Sequence, residues 1–265
     1  MKHAQDPSSL VLYSRSDHDE RVCRIGLNRP EQRNAVNIAM AMALRDAVSR
    51  FEEDSSARVA VLYGVGEVFC AGMDLAAFAS GERPGLDDDD GFAYFVRRRR
   101  AKPIIAAVEG GAFAGGFEIM LACDLAIAAT GARFAVPEVK RGLIAAGGGA
   151  VRLPARLPPA VAREMLLTGD AISSKRAYEL GLVNAIVQQG TARQAAEALA
   201  GRVAENAPLA LEATLALCHS VSESGEQQGW SEAARMWRLI EASEDAREGA
   251  VAFIEKRKPV WRGRA

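Results

Sequence analysis

Hydrophobic and polar positions along this chain fall into blocks that predict strands and helices in alternation. "LVLYSRSDHDERVCRIGLNRP", residues 10–30, reads as two short strands around the polar turn "SDHDE", closed by Pro30. From Asn34 to Glu53 the apolar residues Val36, Met40, Ala43, Leu44, Val48 and Phe51 follow a helical period, with Asn34 or Asn37 as its cap. "ARVAVLYGVG" and "KPIIAAVEG" are continuous apolar runs, the pattern of strands buried on both faces. "FAYFVRRRR", residues 92–100, predicts a short helix with a basic, solvated end. Beyond about residue 157 the pattern is mostly helical, with Ala-rich runs at 159–168, 192–205 and 207–220. Trp230 and Trp237 share one face of a further run. Strand, helix, strand in this order gives an α/β class. "GERPGLDDDDG", residues 81–91, reads instead as a solvated, mobile loop.

One segment carries charge where the pattern calls for burial. "KPIIAAVEGGAFAGGFEIMLACDLAIAA", residues 102–129, is small and apolar, yet holds Glu118 and Asp124. Its four glycines turn the chain before "FEIMLACD" starts a helix, and the first N–H groups of a helix have no internal partner. The result is a donor-rich corner suited to a developing oxyanion, with Glu118 in the first turn beside it. Burial raises the pKa of such a carboxyl and the helix N-terminus lowers it, so a general base and a plain helix cap are both open. Asp124, just before the strand "LAIAA", reads as a structural hydrogen-bonding group. "GEVFCAGMDL", residues 66–75, is a second corner, where Ala71 and Gly72 permit close backbone approach and Met73 offers a second N–H. Downstream, Pro137 biases Val136 toward extended geometry ahead of Glu138, and a triple glycine follows. Taken alone, Glu138 reads as a surface glutamate.

Composition narrows the chemistry. The 265 residues are 49% apolar and 25% charged, which suits one large domain or a main domain with a smaller appendage. A net charge of -1 gives no general reason to expect nucleic acid or an anionic membrane as partner. Four cysteines without CxxC spacing suggest reduced, idle thiols. No long apolar run predicts a membrane span, and "MKHAQDPSSL" has no apolar signal core, so a cytoplasmic protein is expected. "GVGEVF" begins like a dinucleotide fingerprint but has Phe69 at its sixth position. There is no GxxxxGK[ST] and no GxSxG, and the three histidines, His3, His18 and His219, are scattered. No metal site is expected, and carboxylates remain as the natural candidates.

The pieces, in their order, resemble the crotonase (enoyl-CoA hydratase/isomerase) superfamily along nearly the whole chain. The resemblance lies in "LNRPEQRNAV", "FCAGMDL", "KPIIAAVEGGAFAGGFEIMLACDLAIA", "ARFAVPEVKRGL", "LTGDAISSKRAYELGLVNAIV" and "EDAREGAVAFIEKRKPVWRG". It implies a spiral of ββα units over residues 1–195 and a C-terminal helical oligomerisation region over 196–265. Trimers or dimers of trimers follow from it, with the Trp230 and Trp237 face in subunit contacts. It implies an oxyanion hole from the Met73 and Gly115 N–H groups. It places the two catalytic glutamates at Glu118 and Glu138, with Glu118 chiefly on the water and Glu138 chiefly on the Cα proton. Coenzyme A, part of the substrate rather than a separate cofactor, would lie along Arg33, Ala35, Ala71, Asp74 and Leu75, helped by Phe253 and Lys256 of a neighbouring subunit. Two departures stand out: Ala76 and Ala77 occupy the place where many hydratases have a lysine, and Ala114 replaces a common glycine.

The activity implied is hydration of a 2-enoyl-CoA. "RLPARLPPAVAREMLLTG" and the tail are also similar to carnitinyl-CoA dehydratases, which makes a specialised lyase the rival. The glutamate pair favours water chemistry over isomerase or thioesterase activity. An RNA-binding scaffold is invited only by Arg97–Arg100, and the overall charge opposes it.

Overall fold

The structure, a computed structural model, describes residues 9–224, 239 and 243–263; Trp230 and Trp237 lie outside the described residues. The two apolar runs at the start form β1 (Val11–Arg15) and β2 (Val22–Leu27), an antiparallel pair around the expected polar turn. The helical period becomes α1 (Ile38–Glu53), whose N-terminus is held by Asn37 Oδ1 accepting from the Met40 N–H. β3 (Val59–Gly64) and β4 (Ile104–Val108) are the continuous apolar runs, and they pair in parallel. With β6 (Leu125–Ala129) and β9 (Ala185–Val187) they complete a six-stranded sheet in the order β1-β2-β3-β4-β6-β9. A second, three-stranded sheet joins β5 (Gly111–Phe113), β7 (Arg133–Ala135) and β8 (Ile172–Ser173).

The strands are apolar throughout because both faces of the main sheet are covered. Along β3, Ala60 and Leu62 face a core with Leu44, Val48 and Phe51 of α1. Val59 and Val61 face the opposite core, packed against Ala196, Ala200 and Ala204 of α7 (Ala192–Ala204). α7 thus covers the second face of the main sheet. α8 (Pro208–Ser224) and the last helix, Glu244–Glu255, follow it. Among the described residues no helix is long and apolar enough to cross a membrane.

Two local expectations need correction. Residues 92–100 hold only a 3-10 turn, Phe92–Tyr94, in which Ala93 and Tyr94 have left-handed φ values of 60° and 51°. The basic residues do not form a solvated helix face: no helix spans them, and although Arg97 and Arg99 are exposed, Arg98 and Arg100 bond groups of other elements. Arg98 donates to the Arg45 carbonyl and Ser49 Oγ of α1. Arg100 is buried, donates to the Ala122 carbonyl, and lies over the Phe95 ring. The 81–91 loop is likewise not solvated throughout. Asp87, Asp88 and Asp89 are exposed, whereas Pro84 and Gly85 are buried.

Candidate active site

The first corner follows β3. Asn34, expected as a possible helix cap, is instead buried with φ 57° and staples this turn. Its Nδ2 donates to the Val65, Val68 and Phe69 carbonyls at 3.0, 2.8 and 3.2 Å, and its Oδ1 accepts from the Arg29 N–H at 2.8 Å. The Ala71 N–H then donates to the Arg33 carbonyl, and Val36 brackets Met73 by bonding on both sides of it, to the Gly72 carbonyl and the Asp74 N–H. Asp74 caps α2 (Leu75–Ala79) through the Ala76 and Ala77 N–H groups and pairs with Arg29 at 3.1 Å.

The second corner runs from β5 into α3 (Gly115–Ala122). Ala114, at φ 49° and ψ -130°, makes the turn in a region that favours glycine. The two corners are sewn together by the Phe113 N–H donating to the Cys70 carbonyl at 3.0 Å. They approach so closely that a Cβ on Gly72, itself at φ 97°, would lie 2.9 Å from the Gly115 nitrogen. The Met73 and Gly115 N–H groups donate to no acceptor among the described residues.

Glu118, in the first turn of α3, is only 4% exposed. Its Oε1 accepts from the Gly149 N–H at 2.9 Å, at the start of α4 (Gly149–Arg156), and its Oε2 lies against Gly147. Burial pushes its carboxyl up to about 7, and the charge of Glu138 adds to the rise. The Gly149 and Gly147 N–H groups and the Arg152 guanidinium pull the other way. Glu138 sits on a 3-10 turn, Pro137–Arg141, entered through Val136 at φ -116° and ψ 72°. It too is buried, not at the surface as its local sequence suggests, and burial raises its carboxyl against the charge of Arg141. Its Oε2 has no hydrogen-bond partner among the described residues.

Both glutamates open onto one cavity of about 480 Å³, which Met73 and Gly115 also line. Arg33, Ala71 and Leu75 share that wall; Ala35 and Asp74 do not, and both bond Arg29 instead. Lys256 is exposed at φ 53°, away from the cavity in this single chain, and the Phe253 side chain lies outside the described residues. Asp124 is structural, accepting from the Ile104 N–H at 2.8 Å. Sequence reasoning missed Asn34 as the staple, Gly149 as the donor to Glu118, Phe92 and Arg141 on the cavity wall, and Arg152 as a charge acting on Glu118. The triple glycine ahead of an amphipathic run was a usable signal for the α4 N-terminus. Nothing local linked that terminus to Glu118.

Residues 17–264 match the Enoyl-CoA hydratase/isomerase family. The carnitinyl-CoA dehydratases of Proteus mirabilis and Salmonella typhimurium are 40% and 41% identical over 250 residues, covering 92% of this chain and 95% of each relative. The enoyl-CoA hydratase structure from Mycobacterium tuberculosis superposes with a TM-score of 0.91 at 45% identity, covering 97% of this chain and 100% of that one. The carnitinyl-CoA hydratase structure from Mycobacterium avium gives 0.76 at 40% identity, covering 97% and 99%. Fold and site together define a crotonase-type α/β enzyme. The chain belongs to the enoyl-CoA hydratase/isomerase family and is an enzyme of the hydro-lyase type.

Proposed function

We propose that this enzyme adds water reversibly across the 2,3 double bond of a 2-enoyl-CoA thioester. The observation that carries the reading is the meeting of two buried glutamates with two uncommitted backbone N–H groups on one cavity. In this reading the thioester oxygen accepts from Met73 and Gly115, which stabilise the enolate-like charge formed as oxygen bonds to Cβ. Losing one such donor costs on the order of 3–4 kcal/mol of barrier. Glu118 takes a proton from the attacking water, and Glu138 delivers one to Cα.

Addition needs one base and one acid, hence a single proton on the pair. Burial raises both carboxyls, and the charge of Glu138 further raises Glu118, so the pair holds on to one proton toward neutrality. Dehydration uses the arrangement with the proton on Glu118 and Glu138 ionised. Glu138 then removes the Cα proton while Glu118 protonates the departing hydroxyl. Hydration runs from the other arrangement of the same proton.

A second reading is a dehydratase for a specialised acyl group, favoured by the 40–41% identity to carnitinyl-CoA dehydratases. We also propose a homo-oligomer, trimeric or a dimer of trimers, in which residues 196–265 make subunit contacts and Phe253 and Lys256 serve a neighbour's coenzyme A. The test follows loss of enoyl-thioester absorbance with short, medium and long 2-enoyl-CoAs. Hydration that tracks chain length supports the first reading. No hydration of any of them, with turnover of carnitinyl-CoA, replaces it by the second.

A further inference from the structure

Arg141 stands three residues after Glu138 on the same 3-10 turn. Side chains at i and i+3 eclipse in such a turn, and Glu138 and Arg141 both line the cavity. The guanidinium makes no ion pair among the described residues, and its one hydrogen bond there, to the Pro137 carbonyl, is long at 3.5 Å. It does not hydrogen-bond Glu138, whose buried Oε2 has no partner among the described residues. Arg141 is exposed to solvent, and the cavity it shares with Glu138 has an otherwise largely apolar wall that includes Phe78, Leu86, Leu143 and Ile144. A planar cationic fork on an apolar wall suits bidentate recognition of a carboxylate.

The anion in question is not a phosphate of coenzyme A. With the thioester oxygen at Met73 and Gly115, the acyl carbons pass Glu118 and Glu138, so Arg141 faces the acyl group. The phosphates lie the full pantetheine arm away. The cavity's other arginine, Arg33, belongs to the first corner, where its carbonyl accepts from the Ala71 N–H. A trimethylammonium group carries the same sign of charge as the guanidinium, which opposes it at that position.

We propose that Arg141 is a specificity-determining residue and that the acyl group this cavity selects carries a carboxylate, while a trimethylammonium-bearing acyl group is rejected. This rests on the thioester reading above and deepens it by naming the substrate class. The experiment is equilibrium binding, by titration calorimetry, of three saturated thioesters that cannot be hydrated: butyryl-CoA, glutaryl-CoA and an acyl-CoA ending in trimethylammonium. Wild type should bind glutaryl-CoA about tenfold more tightly than butyryl-CoA, and the trimethylammonium thioester least. Arg141→Met should bring the glutaryl preference to within about threefold, Arg141→Lys should restore part of it, and Arg141→Glu should reverse the order of the two charged thioesters. Equal binding of glutaryl-CoA and butyryl-CoA by wild type, or an unchanged ratio in Arg141→Met, overturns the assignment while leaving the thioester reading intact. Binding of none of the three overturns both.

Discussion

The Gly149 N–H donates to Glu118 Oε1 at 2.9 Å, which places one carboxylate between two helix N-termini, its own in α3 and that of α4. Both termini favour the ionised form, yet burial outweighs them and the carboxyl stands near 7. Such a group can exchange a proton near neutral pH without a metal or a histidine.

Replacing either carboxylate by its amide should therefore remove proton transfer while keeping the cavity filled. Glu118→Gln and Glu138→Gln are each expected to lower kcat for 2-enoyl-CoA hydration by about 10²–10⁴ with saturated acyl-CoA binding retained. Progress curves at 2-enoyl absorbance, with calorimetric titration of butyryl-CoA, check both halves. A variant that keeps wild-type kcat would dismiss that glutamate from the chemistry.

The same pair sets a pH limit. With one proton required on the pair, kcat/KM should fall as pH rises through about 7, where Glu118 loses it. Folding stability follows the same group. Its folded pKa is raised from the ordinary 4.5, so its contribution is full below about 4.5 and is lost as pH climbs through about 7. The loss is on the order of 3 kcal/mol, and Glu118→Gln should remove it. Urea unfolding at pH 5 and pH 8 measures this: the variant should gain on wild type at pH 8, and a pH-independent difference would refute the linkage.

Much of this was legible where local pattern and tertiary environment agree. β3 and β4 have no polar position because both faces meet a core, and α1 keeps its period because only one face does. Glycines ahead of an apolar run marked the helix that carries Glu118. The failures have physical causes as well. Residues 92–100 have helical composition, but Arg98 and Arg100 find carbonyls at α1 and α3, and that pull fixes an irregular path. Asn34 looks like a cap in isolation, since its partners at Val65, Val68 and Phe69 lie more than thirty residues away. Glu138 carries no local sign of burial, because the elements that cover it are distant in sequence.

Ala114 gives a prediction about strain. At φ 49° and ψ -130° its Cβ is costly, and glycine would relieve that cost at some loss of unfolded-state restriction. Ala114→Gly is expected to stabilise the protein by about 1 kcal/mol. A denaturation midpoint below wild type would mean that the Cβ contact is worth more than the strain.

Arg152 offers the sharpest separation of electrostatics from packing at the site. Its guanidinium donates to the Val96 carbonyl, lies against Gly148, and acts by charge on Glu118. It thus ties the segment bearing Phe92 to the helix whose first N–H holds Glu118. Removing the charge disfavours the carboxylate, so the Glu118 pKa should move further up. Arg152→Met is expected to shift the alkaline limb of kcat/KM to higher pH, with Arg152→Lys lying between it and wild type. A purely structural role would lower activity equally at every pH. The pH profile therefore decides: a limb that stays in place in Arg152→Met, at any level of activity, would show that its charge does not reach Glu118.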